Sequence, residues 1–582
     1  MNVSFVTPSI RRPSLPNRWD AIAFVIVIGA VALLAHARSG MSVPFVPGKT
    51  EIAISLDPRN LPEYALRTSL RMGIALFLSL VFSLVYAALA AKSHMMEKLL
   101  MPVLDVLQSV PILSFLTITV TGFIALFPGS LMGVECASIF AIFTSQAWNM
   151  TFSLYESFRT VPLDLEEATR MFRASPWRRF WRLEVPFAIP HLAWNVLMSS
   201  SGGWFFVVAS EAITVGDNTV TLPGIGSYIA VAIEQKNLAA VGYALIAMLV
   251  VIIVVDQLAM RPMLAWSEKF KPSDDPDDSG TKSWFLDMLT RAELIGWIED
   301  TWVELTEFFG RLFTGTPSAA RPVERLKPPP SPGRVRAVNW TWNTFLVALA
   351  AYCLVEVYLA VASEVKLAEV ANTLLLGVFT ALRVFFWIIV ASLVWVPIGI
   401  LIGLRPRLAS AIQPVVQILA AFPANLLFPP AVVLITATQA NPEIWLSPLM
   451  ILGTQWYILF NVIGGIYTMP IELRFAAQNF GAKGWLWWRK VMLPYVLPAY
   501  VTGVVTASGG SWNASIVSEI VKWGDTTLSA TGVGAYIAKA SAAGDMPRVV
   551  LGTAVLSIFV IALNRFLWRR LYAWAEERVR LG

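Results

Sequence analysis

The sequence predicts an all-α polytopic membrane protein made of two tandem copies of one six-helix domain. Three observations carry that expectation. Charged residues make up only 14% of the chain, against 56% hydrophobic ones, whereas a soluble globular protein carries about 25% charged residues. Apolar runs recur at roughly 20 residues, the length a helix needs to cross a bilayer core of about 30 Å. A displacement of 308 residues lays the end of the chain over its middle. With a mean hydropathy of +0.64, the composition excludes a soluble enzyme or nucleic-acid-binding domain. The alternating ten-residue segments of a membrane β-barrel are absent from the pattern.

The repeat is legible in residues that chance does not align. At the 308 displacement Pro186 and Pro190 fall on Pro494 and Pro498, Trp204 on Trp512, and Ser210-Glu211 on Ser518-Glu519. Gly216-Asp217 falls on Gly524-Asp525, and Gly224, Gly226 and Tyr228 on Gly532, Gly534 and Tyr536. Upstream the displacement becomes 312, and Thr68, Arg71, Pro102 and Pro111 meet Thr380, Arg383, Pro414 and Pro423. A whole membrane domain is duplicated, as is common in transporters.

Taken in order, the spans of the first copy are expected near 21–37, 64–91, 110–128, 131–155, 187–209 and 238–262. Those of the second are expected near 342–362, 373–404, 423–438, 444–467, 494–518 and 549–568. The first run follows Arg11, Arg12 and Arg18 like a signal peptide, but "HARSGMSVPF" offers no small-residue cleavage site, so a retained span is expected. A cytoplasmic N-terminus places the Lys and Arg of the short loops inside, as the positive-inside rule requires. Six spans return the chain to the cytoplasm, so both termini are cytoplasmic and the repeat is parallel rather than inverted. The domain expectation is a tail, first span and external loop over 1–63, a first domain over 64–270, a cytoplasmic linker over 271–338 and a second domain over 339–582. The linker opens with "SDDPDDSG" and closes with "RPVERLKPPPSPGRVR", both linker-like in composition. Its middle places Phe285, Met288, Ile295, Ile298 and Trp302 at helical spacing, as in an amphipathic helix lying on a membrane face or against the protein. Cys136 and Cys353 lie inside apolar runs, where cysteine behaves as a small hydrophobe.

One window stands out. "EEATRMFRASPWRRFWRLEVPFAIP", Glu166 to Pro190, holds five arginines in a chain poor in charge. It reads as helix, break and second helix ending at Pro186. The second copy has the same plan in "ELRFAAQNF", "GAKGW" and "LWWRKVML", ending at Pro494. Such a loop is either an ordinary basic connection or a docking surface for a soluble partner.

The spacing resembles the signature of permease subunits of binding-protein-dependent ABC importers: Glu-Ala-Ala, three residues, Gly, nine residues, then Ile-x-Leu-Pro. The first copy has Glu167-Ala168-Thr169, Arg173 at the Gly position and Leu183-Glu184-Val185-Pro186. The second has Phe475-Ala476-Ala477, Gly481 and Val491-Met492-Leu493-Pro494. The segment from Thr380 to Pro423 and the "GxGxYI" segments are similar to the nitrate/sulfonate/taurine class. The resemblance implies that each segment forms a coupling helix seated on a cytosolic ATPase. It also implies two such ATPases per chain, an extracytoplasmic solute-binding protein, a lipid environment in a bacterial or archaeal inner membrane, and no permease homodimer. ATP and magnesium would be bound by the partner ATPase, with no cofactor in this chain. Each copy departs once: the first lacks the Gly, the second the Glu.

No phosphate-binding loop is present; Gly48-Lys49-Thr50 has its ending, but Val43 stands where the first Gly belongs. "PGIG" and "TGVG" read as turns, and the three His and two Cys have no metal-ligand spacing. For the solute path, the fifth spans hold small polar runs, Ser199, Ser200 and Gly203 in one copy and Ser508, Gly510 and Ser511 in the other. These read either as close helix packing or as a lining for the path. Glu211 and Glu519 follow; an intramembrane carboxylate is a functional candidate, but it repels anions, which favours a gate or structural role. Arg71 and Arg383 could attract anions or snorkel to the interface. The resulting expectation is a transport subunit for a small anion such as nitrate, bicarbonate or a sulfonate. The alternative is an ion-coupled secondary carrier, or a channel with a cytosolic regulatory partner; sparse intramembrane charge and two docking segments weigh against it.

Overall fold

The computed structural model describes residues 53–270 apart from Arg173, Gly216 and Asp217, 283–290, most of 340–359, and 365–575 apart from Thr468, Pro470, Arg569 and Tyr572, together with Gly29. The span expected near 21–37 and most of the 271–338 linker lie outside the described residues. Packing divides the chain into two units. The larger comprises 40–159, 194–254 and 328–582, the smaller 1–39, 160–193 and 255–327. The larger unit therefore contains membrane helices of both copies.

In the first copy α1, Leu61–Lys92, opens with Pro62 in its first turn, where the missing N–H costs nothing. Ala75, Ser79, Ser83 and Ala87 recur every fourth residue and are all buried without exposure. That stripe of small side chains lets α1 approach its neighbour closely. Helix α2, His94–Ser109, is capped by Ser93 and stops before Pro111. Helix α3, Ile112–Leu126, follows, and then α4, Met132–Arg159. Ser83 donates to Ala147 O at 3.0 Å, tying the α1 stripe to α4. Helix α5, Leu163–Met171, follows. Helix α6, Val185–Glu211, leads into a hairpin of β1, Ala212–Val215, and β2, Asn218–Thr221. Helices α7, Ile225–Glu234, and α8, Leu238–Val255, complete the copy.

The second copy repeats this order. It comprises α9, Leu367–Gly403, α10, Pro406–Ala421, α11, Phe428–Ala437, and α12, Gln455–Tyr467. Then come α13, Ile471–Asn479, α14, Leu493–Ser518, the hairpin β3, Ile520–Trp523, and β4, Thr526–Ser529, and finally α15, Val533–Ala542, and α16, Met546–Leu563. Gly399 and Gly403 let α9 approach α12; a Cβ on either would come within 2.6 Å of Val462 or 2.8 Å of Ile466.

Among the described residues six helices are long and apolar enough to cross a membrane, or up to eight if two bent pairs each count as one span. One bent pair, Arg407–Ala421 and Ala424–Ala437, turns through 76° at Pro423. The expected stop at Pro186 and Pro494 is not where the helices end. A π-turn, Phe180–Glu184 or Trp488–Met492, stands before each proline, and the helix continues into the fifth span. The wider turn makes room for a ring that would clash with the carbonyl four residues back in an α-helix.

Candidate functional site

Three places carry chemistry. The first lies where each fifth span meets its hairpin. Arg71 on α1 is fully buried, and its guanidinium donates to both oxygens of Glu135 at 2.6 and 2.8 Å and to Glu211 Oε1 at 2.7 Å. Thr68, one turn earlier, donates to the same Glu211 oxygen at 2.7 Å and accepts Ile225 N–H at 3.1 Å. Glu211 Oε2 accepts Gly226 N–H at 2.7 Å, in the first turn of α7, where the helix dipole favours a negative group. A Cβ at Gly224 would lie 2.3 Å from the Glu211 carboxyl carbon, and one at Gly226 would lie 2.3 Å from Val208 O. "PGIG" is therefore a cradle at a helix start rather than a simple turn.

The second copy rebuilds this lock. Thr380 donates to Glu519 at 2.7 Å and accepts Val533 N–H at 3.0 Å, while Ala535 N–H donates to Glu519 at 3.1 Å. Arg383 donates to Thr531 O at 2.6 Å, reaches Glu519 at 3.5 Å and pairs with Glu443. The copies differ in depth: Glu135 is 1% exposed at its side chain, Glu443 42%. Glu211 and Glu519 each accept from several donors, and Arg71 and Arg383 are each paired with two carboxylates. Each arginine is held in these ion pairs rather than standing free for an anion.

The second place is the pair of helix–break–helix segments. Glu167 on α5 is exposed, Ala168 and Thr169 are half-buried, and Arg173 lies outside the described residues. Pro186 is half-buried and Pro494 exposed. On α13 Ala477 is buried and Ala476 half-buried, so this pair seats the helix rather than tipping it. Gly481 takes φ 67, and Ala482 N–H bonds back to Ala477 O at 2.9 Å, the left-handed close of a helix that suits glycine. The exposed apolar tips are others: Met171 and Phe172 at the end of α5, Phe475, Phe480 and Trp485 around α13.

The third place is the small polar run of each fifth span. Ser199 and Ser200 are 3% exposed and their hydroxyls have no hydrogen-bond partner. A Cβ at Gly203 would meet Gln146 Nε2 at 2.5 Å, and one at Gly510 would meet Thr454 Cγ2 at 2.5 Å. Ser508 is buried, and Ser511 is bonded to Thr454 at 2.9 Å. Gly203 faces Gln146 of α4, and Gly510 and Ser511 face Thr454 in the turn before α12.

The family model of the binding-protein-dependent transport system inner membrane component matches twice, over residues 79–261 and 395–581. The chain belongs to this family. It carries two tandem copies of the permease domain. It is 28% identical over 188 residues to the bicarbonate transport system permease protein CmpB of Synechococcus elongatus, covering 32% of this chain and 63% of that protein. It is 24% identical over 182 residues to the nitrate import permease protein NrtB of Leptolyngbya laminosa, covering 31% and 62%. It is 26% identical over 201 residues to the taurine transport system permease protein TauC of Escherichia coli, covering 34% and 68%.

For this permease, sequence reasoning missed Glu135 and Glu443 altogether. The signal was available, because the two stand at the same 308 displacement as the fifth-span glutamates. Thr68 and Thr380 were visible only as marks of the repeat. The aromatic tips of the loop segments carry no motif and are separated from core aromatics only by their exposure.

Proposed function

We propose that this chain supplies both permease domains of an ATP-driven importer for a small oxyanion. It works with two separate cytosolic ATPases and an extracytoplasmic binding protein. The observation that carries the reading is the duplicated helix–break–helix segment, which leaves large apolar side chains exposed in both copies. Buried aromatic anchors dominate interface energetics, and Phe480 and Trp485 have the form such anchors take before a partner arrives. In this reading Glu167, Ala168, Thr169, Arg173 and Pro186 shape one dock, and Ala476, Ala477, Gly481 and Pro494 the other. Bicarbonate, nitrate and taurine, in the names of the relatives, each carry an oxyanion group, which motivates the solute class.

In the same reading Glu211 and Glu519 are structural keystones. A buried carboxylate held by a guanidinium, a hydroxyl and a helix N-terminus has no capacity left for a passing anion, which it would also repel. The test is reconstitution of the chain with its ATPase and binding protein in proteoliposomes. Labelled nitrate, bicarbonate and taurine are supplied outside and ATP inside. ATP-dependent accumulation of at least one supports the reading; uptake that proceeds equally without ATP sinks it in favour of a carrier or channel.

A further inference from the structure

The fifth spans of the two copies present equivalent faces of opposite chemistry. On α6 the face reads Trp194, Met198, Ser201 and Phe205; on α14 the same positions, 308 residues on, are Thr502, Thr506, Gly509 and Asn513. The α6 face packs against the second copy, although Trp194 is still 39% exposed. Trp194 stacks on Phe460 with centroids 4.9 Å apart, Met198 packs into second-copy core clusters, and Ser201 is buried. The α14 face stays open. Thr502 and Gly509 are exposed, nothing lies within 4 Å of where a Gly509 side chain would begin, and Thr502 and Thr506 bond only to carbonyls of their own helix, at 3.1 and 3.0 Å. A threonine hydroxyl can rotate from its own helix carbonyl to another acceptor, and the remaining amide donor is costly against hydrocarbon, so this open stripe suits a watered path.

Asn513 closes the argument. Its Oδ1 accepts Ile112 N–H at 2.7 Å, at the start of α3 in the first copy, and its Nδ2 donates to Gly509 O at 3.2 Å. Fixing the oxygen on a helix N-terminus fixes the amide group on the other side, where one of its two N–H donors remains for a ligand. The junction related by the repeat is reversed. There Asn425, beside the second-copy turn, donates to Phe205 O at 3.5 Å, and its buried Oδ1 has no partner. We propose that the solute path is one-sided: the transported oxyanion is handed along Thr502, Thr506 and Asn513 of the second copy, and the Asn513 amide discriminates between anions. This rests on the importer reading above, and it moves the path from the Ser199–Gly203 and Ser508–Ser511 runs to the adjacent face of α14.

Two arms test it. In the full chain with Cys136 and Cys353 replaced by alanine, single cysteines are placed at Thr506, Asn513, Trp194 and Met198. A charged, water-soluble methanethiosulfonate should label the first two, and a lipid-soluble maleimide should not be needed. Labelling of positions 506 and 513 only by the lipid-soluble reagent overturns the inference. In proteoliposomes of the assembled complex, Thr506→Val and Asn513→Leu should each lower ATP-dependent uptake about tenfold or more, the worth of a hydrogen bond to a charged group. Asn513→Leu should also change the nitrate:bicarbonate:taurine uptake ratio, while Met198→Leu leaves it unaltered. Normal uptake and ratio in both second-copy variants overturn this inference alone. Absence of ATP-dependent uptake by the parent chain, with the labelling pattern intact, overturns the importer reading and the solute contacts with it, but leaves a water-lined α14 face.

Discussion

At the scale of single residues, the two copies use one set of groups at two depths. Arg71 and Glu135 are both buried, so removing one partner leaves the other charged in a low-dielectric surround, a loss of about 3–5 kcal/mol for a buried pair. Arg383 and Glu443 share their charge with solvent, where a pair contributes at most about 1 kcal/mol. Glu135→Ala should therefore lower the thermal unfolding temperature of the purified protein clearly, and Glu443→Ala much less. Equal shifts would remove the argument from depth. A second residue-level contact crosses the copies. Lys236, itself at φ 55, lies over Gly524 and places its ammonium 2.8 Å from Asp525 Oδ2. The hydrogen bond from Lys236 holds the Asp525 carboxyl below its usual pKa. A depressed carboxylate stabilises the fold above its unfolded pKa, near 3.9, and loses that effect as pH falls through the lower folded value. The stability gap between the parent and Lys236→Ala should hold from pH 7 to 5 and shrink as the pH approaches 3. It should also shrink in high salt, because both groups are exposed. A gap that widens on acidification would contradict the pairing.

At the scale of elements, the fifth span is the unit that joins the membrane to the loop segments. The π-turns before Pro186 and Pro494 keep each helix unbroken from the loop segment into the fifth span. The tips decide what meets that helix. Phe480→Asp, on an exposed side chain beyond α13, should leave folding and membrane insertion intact and abolish ATPase stimulation by loaded binding protein. Normal stimulation would place the dock elsewhere. Gly481→Ala has a different mechanism: a β-carbon at φ 67 costs about 1 kcal/mol, so it should fray α13 and weaken coupling partially. The first copy has Arg173 in place of that glycine in the sequence, so the two docks are expected to differ in strength. The glycines of "PGIG" act at the same scale. They were readable as turn formers from sequence, but their purpose, admitting a carboxylate to the start of α7, depends on Glu211 arriving from a different helix.

At the scale of the whole molecule, the chain carries two copies of the permease domain, and under the proposed function one chain takes the place of two subunits. Native mass spectrometry of the complex should find one copy of this chain with two ATPase subunits; a minimum unit with two copies of this chain would refute the proposed arrangement. Fusion also releases the copies from identity. A homodimer must present the same face twice, because each residue occurs on both sides of the axis. Here Trp194 and Thr502, or Phe205 and Asn513, can diverge, and the open polar stripe occurs on one copy alone.

The sequence by itself determined the class, the duplication and the loop segments. Low charge, apolar length and the recurrence of Gly, Pro and Trp are properties of the chain read along its length, and the bilayer admits few folds that satisfy such a chain. It also showed that Glu211 and Glu519 matter, because an ionisable group in an apolar run must have a partner. Tertiary structure alone decided who the partners are. Arg71, Glu135, Glu211 and Gly226 come from separate helices, and their meeting depends on how those helices pack, which no local pattern encodes. The fifth-span faces follow the same rule. Helical periodicity shows that Thr502, Thr506, Gly509 and Asn513 share a face, but only packing decides whether that face meets a neighbouring helix or open water.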